Sequence, residues 1–445
     1  MNRRMRIMHI STRLILGGSQ ENTVLSCEGQ VERGHAVSLV YGPIYGPEGS
    51  LLERAREFRA GDAQQPPERP HPNPLPEGEG ITRPHPGPLP PPAGEGIRRP
   101  RPYPLPPGAG EGARIELIEM PHMIRAVNPV RDALCYRALR RIIRGWKPDV
   151  VHTHSSKAGI LGRLAAWKQR VPCVVHTIHG LAFHPYQSRL INAFYIHAER
   201  LAARRCHKII CVADAMRDQA LAAGIGRAEQ YATVYSGIET AQFLDPQIER
   251  DMVRAELGIS PGAFVIGAVS RLAELKGHDD LLDALGDLMR ADPKLKLLWV
   301  GDGWRRARLM NRVAQMGLDA QVITTGLVPP EQVAKYIAAM DVLAHPSYRE
   351  GLPRAVVQGL LSAQPVIAYD VDGTREVCID GETGRLIEPG DRAALREAAM
   401  WMMTHQDEAQ AMGQRGRELC RVRYDAKTMV DRLDEVYASV LASHR

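Results

Sequence analysis

Short β-rich runs alternate with helical patterns twice over, and this restricts the folds open to the chain more than any other feature. The runs fall at 6–11, 36–40, 115–118, 150–153, 173–177, 208–212 and 233–235, then resume at 264–270, 296–300, 321–324, 342–344 and 365–369. Strand, helix, strand in succession predicts parallel pairing with crossover helices. The strand signal stops over the polar, acidic stretch 238–259. We therefore expect two α/β domains, 1–240 and 241–425, followed by a helix over 426–445. At 445 residues, 44% of them apolar, the chain can build two cores.

The first half is interrupted by a repeat: RPHPNPLPEGEG from Arg69, RPHPGPLPPPAGEG from Arg83 and RPRPYPLPPGAGEG from Arg99. Residues 66–107 hold 17 of the 33 prolines, too many to supply ladder donors or helix bonds, so an extended, disordered insertion over 61–113 is expected. Its charges cancel, which leaves the net +6 to the folded halves, far from a nucleic-acid-binding signature. Seven scattered cysteines include no C-x-x-C pair, indicating neither a zinc site nor a disulfide framework and fitting a reducing cytoplasm. The basic opening MNRRMRIMHIS has too short an apolar run for a signal peptide, and no run approaches a membrane span.

Several loops after strands carry chemistry. LGGSQEN puts Gly17 and Gly18 between a strand and a helix, where backbone N–H groups can approach a phosphate. VSRLAELKG delivers Arg271 and Lys276 beyond the strand 264–270, two cations suited to a diphosphate. GDGWRR repeats the geometry with Gly301 and Gly303. His179, in HTIHG, follows the strand 173–177 and precedes Gly180. HPSYREGLPRAVVQG places Glu350 before Gly351, Leu352 and Pro353, a good first helical residue, with Gln358 eight residues after the glutamate. Each motif alone also fits a plain structural role: a turn glycine, a solvated cation, or an acid complementing a helix dipole.

Taken in order and spacing, these motifs resemble the retaining glycosyltransferases of family 4, over nearly the whole chain. The resemblance implies a GT-B fold: α/β, two facing Rossmann-like domains with parallel sheets and a C-terminal helix returning to the first. It also implies hexosyl transfer from a nucleotide-diphosphate sugar to a hydroxyl of a polysaccharide or glycolipid precursor. By resemblance, His179 and Glu350 contact the donor sugar and Arg271 and Lys276 stabilise the departing diphosphate. Gly17, Gly18, Gly301, Gly303, Gly351, Leu352 and Gln358 belong to donor binding. Gln358 departs from the E-x7-E pattern of the family: it keeps a carbonyl acceptor for the ribose but loses a charge-assisted bond. No metal and no cofactor beyond the donor substrate are expected. Asp370 and Asp372 form a D-x-D, which in metal-dependent glycosyltransferases of another fold holds a divalent cation, but here it follows a second-half strand in AYDVDGTREV and resembles a loop of the family. Rival readings are a decayed GT-B binding protein and another sugar-nucleotide enzyme such as an epimerase.

Two further stretches stay open. HTHSSKAG offers His154, Ser155, Ser156 and Lys157 to the acceptor side, although N-capping explains the serines equally well. RALRRIIRGWK, from Arg137 to Lys147, has an apolar stripe opposite a basic one, fitting either an ordinary domain helix or peripheral contact with the inner face of an anionic membrane.

Overall fold

The computed structural model describes residues 4–44, 49–61, 112–244 and 250–443. The proline-rich repeats lie outside them. The first sheet comprises β1 (Arg6–Ser11), β2 (Ala36–Tyr41), β3 (Glu116–Glu119), β4 (Val150–His154), β5 (Cys173–Ile178), β6 (Lys208–Cys211) and β7 (Tyr231–Thr233), in the order β3-β2-β1-β4-β5-β6-β7. The second comprises β8 (Phe264–Val269), β9 (Leu295–Val300), β10 (Val322–Thr324), β11 (Val342–His345), β12 (Val366–Tyr369) and β13 (Gly384–Ile387), in the order β10-β9-β8-β11-β12-β13. Adjacent strands pair in parallel throughout. All expected runs are strands within about two residues; β13, with a glycine, an arginine and two half-buried positions, gave no sequence signal.

Both sheets follow the doubly wound order. Strand order reverses between β1 and β4 and again between β8 and β11, and ligands of such sheets bind beyond the carboxyl ends of the strands at these switch points. A single apolar cluster joins the halves, from Ile178, Cys211 and Ala213 to Val356 and Leu360. The helix Ala426–Ala442 returns to the first sheet and packs Met429, Val430, Leu433 and Tyr437 over Met5, Ile7, Val150 and Val175.

The helix Pro129–Trp146 is a crossover helix of the first half. Its apolar stripe, Leu139, Ile142, Ile143 and Trp146, is buried in the core of the first half, because a crossover helix must cover its sheet. Only the opposite face, with Arg137, Arg141, Arg144 and Lys147, meets solvent. Among the described residues no helix is long and apolar enough to cross a membrane. All seven cysteines are buried thiols.

Candidate active site

The two switch points open onto one cleft of about 1070 Å³ between the halves. From the first half, Gly17 and Gly18 line it beyond β1, Ser155, Ser156 and Lys157 beyond β4, and His179 beyond β5. From the second, Arg271 and Lys276 line it beyond β8, and Glu350, Gly351, Leu352 and Gln358 beyond β11. Gly301 and Gly303 are not part of this lining. They support it from beneath: Leu272 donates its N–H to the Asp302 carbonyl (3.1 Å), and a Cβ at Gly303 would fall 2.3 Å from the Leu272 carbonyl oxygen. The missing side chains let the loop carrying Arg271 sit close to the end of β9.

Glu350 is the centre of the charged arrangement. Its Oε1 accepts from Lys276 Nζ (2.6 Å) and from His345 Nε2 (2.9 Å), and its backbone N–H donates to Asp372 Oδ2 (2.8 Å). Burial alone would raise its pKa, but the Lys276 and His345 charges and hydrogen bonds more than offset that and hold it well below the usual carboxylate range. Glu350 is therefore an acceptor at any working pH, not a general acid. The helix begins at Arg354 with Pro353 as its N-cap residue, so Glu350 sits beyond the first turn, and the plain dipole reading does not describe it. Sequence reasoning missed His345, whose ring is hidden at the end of β11.

Backbone strain gathers at the rim. Leu275 (φ 62°), next to Lys276, Ser155 (φ 60°) and Asp372 (φ 49°) all adopt left-handed conformations that non-glycine residues rarely take. Ser155 does not cap its helix; its hydroxyl bonds to Thr12 Oγ1 (2.7 Å). Lys157 pairs with Asp132 (2.7 Å). The D-x-D carboxylates are engaged separately, Asp370 by Arg375 (2.7 Å) and Asp372 by Gln219 (2.8 Å) and the Glu350 N–H. They do not converge on a common point.

Arg354, in the same EGLPRAVVQ stretch, is a residue that sequence reasoning missed. It crosses the cleft to Glu21 (2.6 Å) and donates to the Gly237 carbonyl (2.7 Å), with its side chain lying against Gly18. Arg349 bonds to the Leu181 carbonyl, and Glu376 caps the helix Asp214–Ala222 through the N–H groups of Asp214 and Ala215 (both 2.9 Å). Burial, then the Arg354 charge, pushes the pKa of His179 down to about 3, so its ring is neutral. His154, in contrast, is buried (1% exposed) and does not line the cleft; its Nδ1 lies 3.0 Å from His179 Nε2.

Two family models divide the chain as the sheets do. Residues 17–237 match a glycosyl transferase 4-like domain and residues 249–419 match glycosyl transferases group 1. The chain belongs to these glycosyltransferases. Among relatives of this glycosyltransferase, the UDP-Gal:alpha-D-GlcNAc-diphosphoundecaprenol alpha-1,3-galactosyltransferase of Escherichia coli is 28% identical over 279 residues, covering 61% of this chain and 70% of that protein. The GDP-mannose-dependent alpha-mannosyltransferase of Mycobacterium tuberculosis is 30% identical over 283 residues, covering 62% and 69%. The solved structure of Anabaena Alr3699/HepE in complex with UDP-glucose has a TM-score of 0.72 and 19% identity, over 98% of this chain and all of that one. At that identity the likeness establishes the fold, GT-B.

Proposed function

We propose that this glycosyltransferase moves a hexose, with retention at the anomeric carbon, from a nucleotide-diphosphate sugar to a hydroxyl of a lipid-linked or polysaccharide precursor. The observation that carries the reading is the Lys276–Glu350 pair at the second switch point, opposite Gly17, Gly18 and His179 at the carboxyl edge of the first sheet. Lys276 and Arg271 offset the charge that grows on the departing diphosphate, Glu350 and His179 hold sugar hydroxyls, and Gln358 reaches the ribose. The backbone at Gly351 and Leu352 borders the sugar, and the Gly17-Gly18 turn borders the diphosphate. In the transfer, the acceptor oxygen bonds to the anomeric carbon, the bond to the diphosphate breaks, and the hydroxyl proton leaves with the diphosphate. With cations supplied by side chains, turnover is expected to persist in EDTA. A panel of nucleotide sugars, assayed for released nucleotide diphosphate with and without lipid acceptors and for product anomeric configuration, tests the reading. An inverted product, or no released diphosphate from any donor, overturns it.

A second groove of about 500 Å³, lined by Tyr136, Leu161, Leu164 and Trp167 with Lys168 and Arg205 nearby, meets the cleft at Asp132 and Leu161. It supports an acceptor with an apolar portion. Contact with the cytoplasmic face of a membrane then uses the exposed basic face of the Pro129–Trp146 helix together with Val127 and Val130, which are 64% and 70% exposed. Vesicles containing anionic lipid are expected to sediment the protein and vesicles of neutral lipid are not, with binding weakened in Arg137→Glu/Arg141→Glu. Equal sedimentation by both vesicle types would remove the electrostatic contact.

Gln358 gives a sharper test of donor binding. Gln358→Glu restores a charge-assisted acceptor for a ribose hydroxyl, worth on the order of 1 kcal/mol, so affinity for the nucleotide diphosphate should rise several-fold. Turnover should change much less, since ribose contacts are alike in ground and transition states. Calorimetric titration showing unchanged affinity would take Gln358 away from the ribose.

A further inference from the structure

The first sheet contains a run of buried histidines that the transfer chemistry leaves unused. His9 in β1 is 0% exposed and His154 in β4 is 1% exposed, and neither lines the cleft. His9 Nε2 lies 2.7 Å from Gln30 Oε1, His9 Nδ1 lies 2.9 Å from His154 Nε2, and His154 Nδ1 lies 3.0 Å from His179 Nε2. The run begins in the core under the C-terminal helix. It ends at a ring that faces the cleft.

A neutral imidazole has one N–H and one bare nitrogen, so in a hydrogen-bonded run each ring dictates the next. Burial keeps the rings neutral, lowering the pKa of His9 to about 4 and that of His154 well below its ordinary value. The direction is set at Gln30. Its NH₂ donates to the Tyr437 hydroxyl (3.3 Å), whose oxygen also lies 2.6 Å from His152 Nδ1, and its carbonyl is left facing His9. His9 therefore donates from Nε2 and accepts at Nδ1, His154 does the same, and His179 donates from Nε2. Nδ1 of His179 is left as the bare nitrogen available to a ligand.

We propose that Gln30, His9 and His154 are positioning residues that hold His179 in its Nε2–H tautomer, so that Nδ1 accepts a hydrogen bond from one hydroxyl of the donor sugar and selects for it. The proposal rests on the reading of His179 as a sugar contact. A metal centre is a poorer account of the same residues. Nitrogens of His9, His152 and His154 lie within 4.8 Å of one another, yet both ring nitrogens of each already have protein partners, His152 Nε2 pairing with Thr177 Oγ1 (2.6 Å). An ion would have to break the run.

Two measurements on the full chain test this. In protein labelled with 15N-histidine, His179 should show a protonated Nε2 and a bare Nδ1 at neutral pH. Separately, kcat/KM is compared among UDP-glucose, UDP-galactose, GDP-mannose and the monodeoxy analogues of each. The wild type should reject one monodeoxy analogue by about tenfold or more, as expected for a lost hydrogen bond to a partner that stays buried. His179→Ala, His154→Leu and His9→Leu should each reduce that one ratio to below about threefold and leave the ratios at other hydroxyls unchanged. His154→Asn, whose carbonyl can still accept from His179, should keep most of it. A role in folding alone would lower all donors together, and that result overturns the proposal, as does an Nδ1–H tautomer or stoichiometric zinc in the purified protein. If His179→Ala leaves every ratio intact, the sugar contact itself falls and the proposal with it; if only the His9 and His154 variants leave them intact, the contact stands and the proposal falls.

Discussion

Replacing Lys276 by alanine is expected to lower transfer at least about a hundredfold, corresponding to roughly 3 kcal/mol of lost charge stabilisation on the departing diphosphate. The same change leaves Glu350 with His345 as its remaining partner. In the wild type Glu350 titrates well below the usual carboxylate range, so its contribution to stability is complete above the unfolded value of about 4.3 and is lost only as pH falls through the lower folded value. Without Lys276, burial pushes the folded value up. The variant's deficit relative to the wild type should therefore be largest near pH 7 and shrink as pH falls toward about 4, because protonation neutralises the buried carboxylate. Adding Glu350→Gln should recover that stability without recovering turnover, because the buried charge is gone but the cation is still missing. Near-wild-type turnover in Lys276→Ala would remove the diphosphate assignment.

The second large effect is expected at Gly351. A Cβ there would lie 2.0 Å from the carbonyl oxygen of His179, a backbone atom of the opposite half with no flexible end to yield. Gly351 also accepts from the Gly373 N–H (3.2 Å), which pins it on the other side. Gly351→Ala must push the halves apart by an ångström or more, and a misplacement of that size costs about a hundredfold in rate. Each half keeps its own core, so the thermal midpoint should fall by only a few degrees, an effect of about 1 kcal/mol. Activity within about threefold of wild type would mean that the halves need not approach this closely during transfer.

Much of this was legible because crossover helices and parallel strands leave a strong periodic signal, and because ligand-binding loops follow strand ends by rule. Arg271, Lys276 and Glu350 could be placed at strand ends from the sequence, although their meeting could not, since β8 and β11 become neighbours only in the folded sheet. Gly301 and Gly303 are hard to read from sequence, because a glycine that admits a phosphate and one that admits a neighbouring loop look alike. Arg354 did leave a signal: a cation in the first turn of a helix opposes the dipole, so it needs another reason to be there. Glu21 is that reason. The histidine run left no such signal as a run, because His9 and His154 are 145 positions apart in sequence and nothing in either strand says that they meet.

The return of the Ala426–Ala442 helix bears on how the chain is made. A ribosome releases the first sheet long before this helix exists, so the face of β1, β4 and β5 that carries Met5, Ile7, Val150 and Val175 emerges with its cover still unsynthesised. Tyr437, which bonds Gln30 and His152, follows them in the chain by 407 and 285 positions. Vectorial folding, which ordinarily finishes an N-terminal domain first, is here held open until this helix has been made. A nascent chain stalled before residue 426 presents an apolar sheet face that chaperones, and neighbouring nascent chains, can bind.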